Sequence, residues 1–493
     1  MSNRMLLAAR TCVLLAAALA CGAFPAGAAD RAVEIDAYLS EVHALNQFDG
    51  AVLVADRGGI VLTKGYGLAD REWKVPNSPQ GKFRIGSITK QFTATLVLQL
   101  VEEGKLSLDA KLSDVLPYYR KDTGEKVTIR HLLNHTSGIP SFTESPGYQE
   151  IRGGNRHGVE EIVTRFCSGD LQFEPGSQFR YNNGGYYILG AVIEKLTGKR
   201  YEEVLAERIT GPLKMRATGY DHSHDIVDRR TSGYQRSPAG VRNAPYVDMS
   251  VPFAAGALYS TVEDLYLWDR ALYTDQLLSD TSKQAMFTPG LGNYGFGWGI
   301  RTTPVGPDRA ERTVISHSGG IEGFHSHIRR IPDDRLVVIL LDNCADESLG
   351  AVATGIVELM YGREPAPPKR SIAEVMYQVH REQGMAAAVD TLRGLRADKA
   401  DEYDFSEGVL NLLGYQLLSE GEPEAAVEVF RVNAEIYPES ANVYDSLGEG
   451  LAALGRTEDA IKSYARSLEL DPTNRNAVEW LERLTNRRQE GPG

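Results

Sequence analysis

Ser87 and Lys90 stand three residues apart at the head of an apolar segment, FRIGSITKQFTATLVLQLVEEG, running from Phe83 to Gly104. Ile88, Phe92, Leu96 and Leu100 recur every four residues, and Ala94, Val97, Leu98 and Val101 fill the remaining sides. A helix apolar on most faces belongs in a core. A lysine in its first turn is then partly desolvated, which disfavours the ammonium and lowers its pKa toward that of a usable base. Positions i and i+3 share a helix face, so Lys90 can reach Ser87. The serine also sits at the positive end of the helix dipole, which favours negative charge developing on its oxygen. Together these features describe an activated serine nucleophile. Ser-x-x-Lys alone is weak, because a capping serine followed by a solvated lysine has the same letters.

Such a serine needs a proton shuttle, an amide, and a strand edge opposite it. EPGSQFRYNNGGYYILG, Glu174 to Gly190, offers Tyr181 and Asn183 before a helix start. ISHSGG, Ile315 to Gly320, offers His317 and then Gly319 and Gly320, small residues that permit close backbone approach to a substrate. The elements around these segments are legible. AVLVAD and IVLTKGYG, within Gly50 to Gly67, read as a hairpin split by Arg57-Gly58-Gly59. YGFGWGI (from Tyr294), FHSHIRRI (from Phe324) and RLVVILLDN (from Arg335) have strand character, the last two joined by Pro332-Asp333-Asp334. Residues 88–290 between these sets are mainly helical patterns and loops. Asp30 to Asn46 and Ser348 to Tyr361 read as helices flanking the sheet. A sheet built from both ends of one domain, with a helical insert, is the economical arrangement.

Ser87-x-x-Lys90, Tyr181-x-Asn183 and His317-x-Gly319 occur in the order and rough spacing of the serine β-lactamase and penicillin-binding family, and the chain resembles its class C branch over about Asp30 to Gly362. LLNHTSGIP (from Leu132) and GALYSTVEDL (from Gly256) share the likeness. The resemblance implies an α+β fold, with an antiparallel sheet flanked by helices and a helical lobe. It also implies that Ser87 is acylated, that Lys90 helps deprotonate it, and that Tyr181 acts as general base or as donor to the leaving group. Asn183 would bond Lys90 and the substrate amide, His317 would line the edge strand beside Gly319, and the N–H groups of Ser87 and Gly320 would form an oxyanion hole. No metal or organic cofactor is implied. One position departs from the pattern: β-lactamases of this branch carry Lys-Thr-Gly at the third motif, where the lysine helps hold a carboxylate. His317 there resembles the family's esterases, D-peptidases and D-amino-acid amidases, and its charge at neutral pH is open. The expectation is a small ester, peptide or cell-wall-derived substrate rather than antibiotic hydrolysis. The alternative is a non-catalytic sensor or scaffold that keeps the pocket.

Blander readings compete elsewhere. His131 and His135 have a spacing seen in helical zinc sites, and His317, His325 and His327 cluster. No glutamate follows His131, so ordinary hydrogen-bonded histidines are the better reading. Tyr259 could line the cleft, but YSTVED also reads as a capping box, Ser260 with Glu263. The run Tyr294 to Trp298 reads as strand packing.

The chain has 493 residues and a net charge of −13, with no Lys/Arg-dense stretch, which argues against nucleic acid as the main partner. Arg4 and Arg10, an apolar run from Cys12 to Cys21 and then Ala26-Gly27-Ala28 describe a secretory signal peptide over residues 1–28. Secretion or a periplasmic location follows, with no membrane span after cleavage. Ala18-Leu19-Ala20-Cys21 also resembles a lipoprotein box with Cys21 lipidated. Cys167 and Cys344 remain, and read as two independent buried thiols rather than a disulfide.

The hydrolase-like region is placed at 29–362, followed by the proline-rich linker GREPAPPKR and a capping helix within 363–402. The tail, 403–487, repeats itself. Gly414, Gly421, Phe430 and Pro438 align with Gly448, Gly455, Tyr464 and Pro472, each 34 residues on. That is the tetratricopeptide period. Small residues such as Ala425 and Ala460 let paired helices approach, and Trp480 and Leu481 continue the pattern in a third helix. Such arrays offer a concave face to a protein or peptide partner, or serve only as structural appendages.

Overall fold

A computed structural model describes residues 28–144, 147–153, 158–344 and 349–490. The leader expectation, with Cys21, lies outside the described residues.

Two sets of strands from opposite ends of the chain form one antiparallel sheet. They are β1 (Gly50–Asp56), β2 (Gly59–Tyr66), β3 (Gly299–Val305), β4 (Ala310–Ile321), β5 (Phe324–Ile331) and β6 (Leu336–Asp342), in the spatial order β3-β4-β5-β6-β1-β2. The joint is the β1–β6 ladder, from Gly50↔Asp342 to Ala55↔Val337. Both strands are buried on both faces, which is why their sequences are unbroken aliphatic runs. Alternate residues serve different cores. Val52, Val54, Val338 and Leu340 pack beneath α1 (Ala28–Ala44) and the terminal helix of this region, Leu349–Met360. Ala51, Leu53, Ile339 and Leu341 face a helical lobe containing α2 (Thr89–Glu102), α3 (Asn183–Thr197) and α4 (Val262–Ala271). The Leu349–Met360 helix is α5.

α2 runs through the middle of that lobe. Every residue from Thr89 to Leu98 is buried, and Phe92 stacks on Trp268 of α4 with ring centroids 4.3 Å apart. The helix is apolar all round because it has no solvent face near its start.

Three local expectations are corrected. The strand expected from Tyr294 begins at Gly299; Tyr294 to Trp298 is a loop, with Gly297 at φ +79° backed against the Lys90 carbonyl. The cap of α4 is Thr261, whose side chain accepts the Asp264 N–H at 3.2 Å, while Ser260 turns inward to Thr218 at 2.7 Å. The capping helix expected within 363–402 is two helices, α6 (Ile372–Gln383) and α7 (Met385–Asp398), divided at Gly384 with φ +89°. Cys167 and Cys344 are both free and buried.

The tail continues as helix pairs: α8 (Glu407–Ser419) with α9 (Pro423–Ile436), α10 (Ala441–Ala453) with α11 (Thr457–Leu470), then α12 (Arg475–Glu490). The 34-residue offset has a physical meaning in the contacts. A side chain at Gly414 would overlap the Phe430 ring, and one at Gly448 would meet Tyr464 at 2.8 Å. Each pair thus seats an aromatic ring of its second helix against a bare stretch of its first. Tyr464 in turn stacks on Trp480 of α12, 6.0 Å between centroids and 9° from parallel.

Candidate active site

Ser87 lies in the 3₁₀ turn Gly86–Ile88 that leads into α2. Lys90, one turn later, is fully buried, and its Nζ lies 2.9 Å from each of three oxygens: Ser87 Oγ, Asn183 Oδ1 and the Ala255 carbonyl. None of these is a carboxylate. Burial therefore pushes Lys90 well below the ordinary lysine range, with desolvation as the cause. A neutral amine has two N–H bonds and one lone pair. The Asn183 amide oxygen and the Ala255 carbonyl can only accept, so they take the two N–H bonds. The lone pair is left for the Ser87 hydroxyl.

Asn183 opens α3, and the preceding Asn182 caps that helix by accepting the Gly185 N–H at 3.1 Å. The cap fixes the turn that carries Tyr181. Its hydroxyl is buried without a hydrogen bond of good geometry, beside Ser87. Burial raises the phenol above its usual range, and the Ser87 hydroxyl only partly opposes this. Tyr181 is therefore protonated at neutral pH. The Lys90 nitrogen sits over its ring, 4.9 Å from the centroid.

β4 supplies the opposite wall. Its pairing with β3 ends at Gly299↔Ser316, so residues 317–321 form an open strand edge. Gly319 is required there for a reason the sequence did not disclose. A Cβ would collide with the Ile85 carbonyl and the Ser326 hydroxyl, so the glycine admits the serine's own turn as well as any substrate. A Cβ on Gly86, at φ +48°, would lie 2.9 Å from Gly320 N. The backbone of Gly320 is thereby held against the turn bearing Ser87, as a pair of oxyanion N–H donors requires.

His317 is buried with both ring nitrogens occupied. Nδ1 lies 2.6 Å from the Ser318 carbonyl, which can only accept, so the proton sits on Nδ1. Nε2 then accepts from the Tyr294 hydroxyl at 2.8 Å. Desolvation, then the nearby Lys90, push its pKa down to about 4. The third motif thus presents a neutral imidazole where the resemblance places a lysine.

Two further residues belong to this constellation and escaped the sequence reading. Tyr294, read as strand packing, lines the cleft and holds His317. His135, weighed as a zinc ligand, adopts φ +60°, accepts the Asn182 N–H at 3.1 Å, and places its ring 4.3 Å from that of Tyr181. It supports the Tyr181 turn from behind. His131 instead accepts the Thr128 N–H at 3.2 Å within a helix cap. Tyr259 lines neither cavity at the serine.

Ser87 sits where two cavities meet. The smaller, of about 310 Å³, is lined by Asn183, Gly320, Phe142, Tyr148, Val251 and Ile321. The larger, of about 930 Å³, contains Tyr181, Tyr294 and His317 and extends along the sheet.

Residues 35–358 match the family model described as Beta-lactamase. The chain belongs to the beta-lactamase family. Residues 441–474 match the tetratricopeptide repeat model. Penicillin-binding protein 4* of Bacillus subtilis (strain 168) is 31% identical over 356 residues, covering 67% of this chain and 76% of its own. Among solved structures, the octameric penicillin-binding protein homologue from Pyrococcus abyssi is 26% identical with a TM-score of 0.59, covering 71% of this chain and 81% of its own. The D-amino acid amidase from Ochrobactrum anthropi SV3, complexed with D-phenylalanine, is 27% identical with a TM-score of 0.58, covering 68% of this chain and 99% of its own. The beta-lactamase and transpeptidase-like fold and the repeat tail expected from the sequence are both present. No described helix is long and apolar enough to cross a membrane.

Proposed function

We propose that this beta-lactamase family chain is a serine hydrolase that works through an acyl-enzyme on an ester or amide bond, with Ser87 as nucleophile. The observation that carries the reading is the Lys90 environment: a buried amine 2.9 Å from two oxygens that can only accept and from the Ser87 hydroxyl. In the first step the Ser87 proton passes to Lys90 as Oγ attacks the substrate carbonyl. The N–H groups of Ser87 and Gly320 receive the oxyanion, the step in which such donors contribute most. Tyr181, protonated, gives its proton to the departing nitrogen or oxygen. The Lys90 ammonium returns a proton to the phenolate, and water repeats the sequence to release the acyl group.

The substrate class follows from His317. With no cation at that position near neutral pH, a carboxylate beside the scissile bond gains nothing there. Esterase activity, or D-peptidase-like activity at a bond with no carboxylate immediately beside it, is therefore favoured over hydrolysis of penicillins, in keeping with the D-amino acid amidase likeness. Export to the periplasm or outside the cell is part of the proposal and rests on the leader-like residues 4–28.

The test is intact-mass analysis after exposure to a small ester, a penicillin and a D-alanyl peptide, with Ser87→Ala alongside. A Ser87-dependent adduct or turnover supports the hydrolase, and the reagent that reacts names the substrate class. A folded protein silent toward all three contradicts it.

A further inference from the structure

The two cavities at Ser87 differ in what they offer, and the proton donor tells them apart. Tyr181 lines the larger cavity, whereas Asn183 and Gly320 line the smaller. A leaving atom must lie beside its proton donor, so the leaving side of the substrate points into the larger cavity. That cavity does not stop at His317. It passes the end of β3, crosses the open edge of β4 and continues on the opposite face of the sheet.

The register shows the change of face. His317 and Gly319 point toward the helical lobe; Ser316 and Ser318 point the other way. Their cross-strand partners on β5 are Arg329 and His327. Arg301 of β3, paired with Val314, shares this outer face. Together with Thr354 and Glu358 of α5, these residues line the outer arm.

Among the described residues the charges in the arm are unbalanced. Arg329 donates to Thr354 Oγ1 at 2.6 Å and to the Gly350 carbonyl at 3.2 Å, both neutral acceptors. Neither Arg329 nor Arg301 has a carboxylate partner among the described residues. Among the described residues the one carboxylate in the lining, Glu358, is held by Arg363 at 3.2 Å. His327 is buried, which pushes its pKa down to about 3, and is bonded through Nδ1 to Ser318 Oγ at 2.8 Å, with Nε2 left without a partner among the described residues. Two guanidinium groups thus face an open cavity in a chain whose net charge is −13.

We propose that this arm is a subsite for a carboxylate-bearing leaving segment, held by Arg329 and Arg301. The inference rests on the hydrolase reading above, since that reading defines the leaving side. The register also sets the length. Arg329 stands one strand across and three residues back from Gly319, about 11 Å at ~3.4 Å per residue and ~4.8 Å between strands. A leaving segment of two to three residues spans that distance, and its terminal carboxylate meets a guanidinium fork of matching geometry. A single leaving residue is too short to reach it.

The experiment measures binding rather than turnover, so that it stands apart from the hydrolase test. Triglycine and triglycine amide, which have no side-chain stereochemistry to mismatch, are titrated by calorimetry into Ser87→Ala. The same titration is made with Arg329→Gln, and separately the exposed Arg301→Gln, added to that background. Triglycine is expected to bind at least about 10-fold more tightly than its amide, the worth of one charge-assisted contact. Arg329→Gln should abolish that preference and Arg301→Gln reduce it, with thermal unfolding of Arg301→Gln unchanged. Equal binding of the two peptides, binding of neither, or a preference that survives both substitutions overturns the subsite. A failed acylation experiment with the preference intact contradicts the hydrolase alone.

Discussion

The two walls of the cleft each present one buried base, and their surroundings assign them opposite work. On the α2 wall, Lys90 has two oxygens that can only accept and a third, on Ser87, that can give up a proton. On the β4 wall, His317 has one nitrogen on a carbonyl and the other on the Tyr294 hydroxyl. Burial disfavours the charged form of both. Only Lys90 touches the candidate nucleophile, Ser87. A low pKa in a cleft therefore marks a catalytic base only when the group's remaining valences are already taken by other partners.

Lys90→Met removes the lone pair and leaves the Asn183 and Ala255 acceptors unpaired; Ser87 acylation should slow by about 1,000-fold or more. Tyr181→Phe keeps the ring beside His135 and removes only the proton donor. A loss of about 100-fold in kcat is expected, smallest for esters with good leaving groups, which need no proton. His317→Gln should cost less than about 10-fold, because the side chain moves no proton. If His317→Gln proved as damaging as Lys90→Met, the contrast between the walls would fail.

The histidine has a thermodynamic signature instead. Its folded pKa of about 4 lies below the unfolded value of about 6.5, so on acidification the unfolded chain takes up the proton first. The stability this neutrality protects is fully present above about pH 6.5 and is lost as pH falls toward 4, on the order of 3 kcal/mol. Urea unfolding at about pH 7 and about pH 4.5, on wild type and His317→Gln, checks this. The advantage of wild type over the variant should shrink at the lower pH.

How much of this was legible beforehand depended on sequence distance. The repeat tail could be read because its contacts are local: Gly414 meets Phe430 only 16 positions away, and the same pair recurs one period later. The strands of the sheet and the buried α2 were legible because periodicity and aliphatic runs mark them. The candidate residues Ser87, Lys90, Tyr181, Asn183, His317, Gly319 and Gly320 could be named from motifs, but not their burial, which depends on chain far away. Tyr294 was overlooked because a tyrosine in a glycine-aromatic loop carries no spacing signal; only the fold places it against His317. His135 was misleading for the same reason, its partner Asn182 lying 47 residues on. The outer arm was invisible, since it depends on where β3 ends and on which face Arg329 shares with Ser316.

The central claim is that Lys90 is already a free amine at neutral pH and draws the proton from Ser87. The most direct test is the pH dependence of Ser87 acylation by a single activated ester, followed by intact mass. The expected rate is flat through neutral pH and falls only on the acid side, as Lys90 gains its proton. A rate that climbs steadily toward an ordinary lysine pKa of about 10.4 would contradict it.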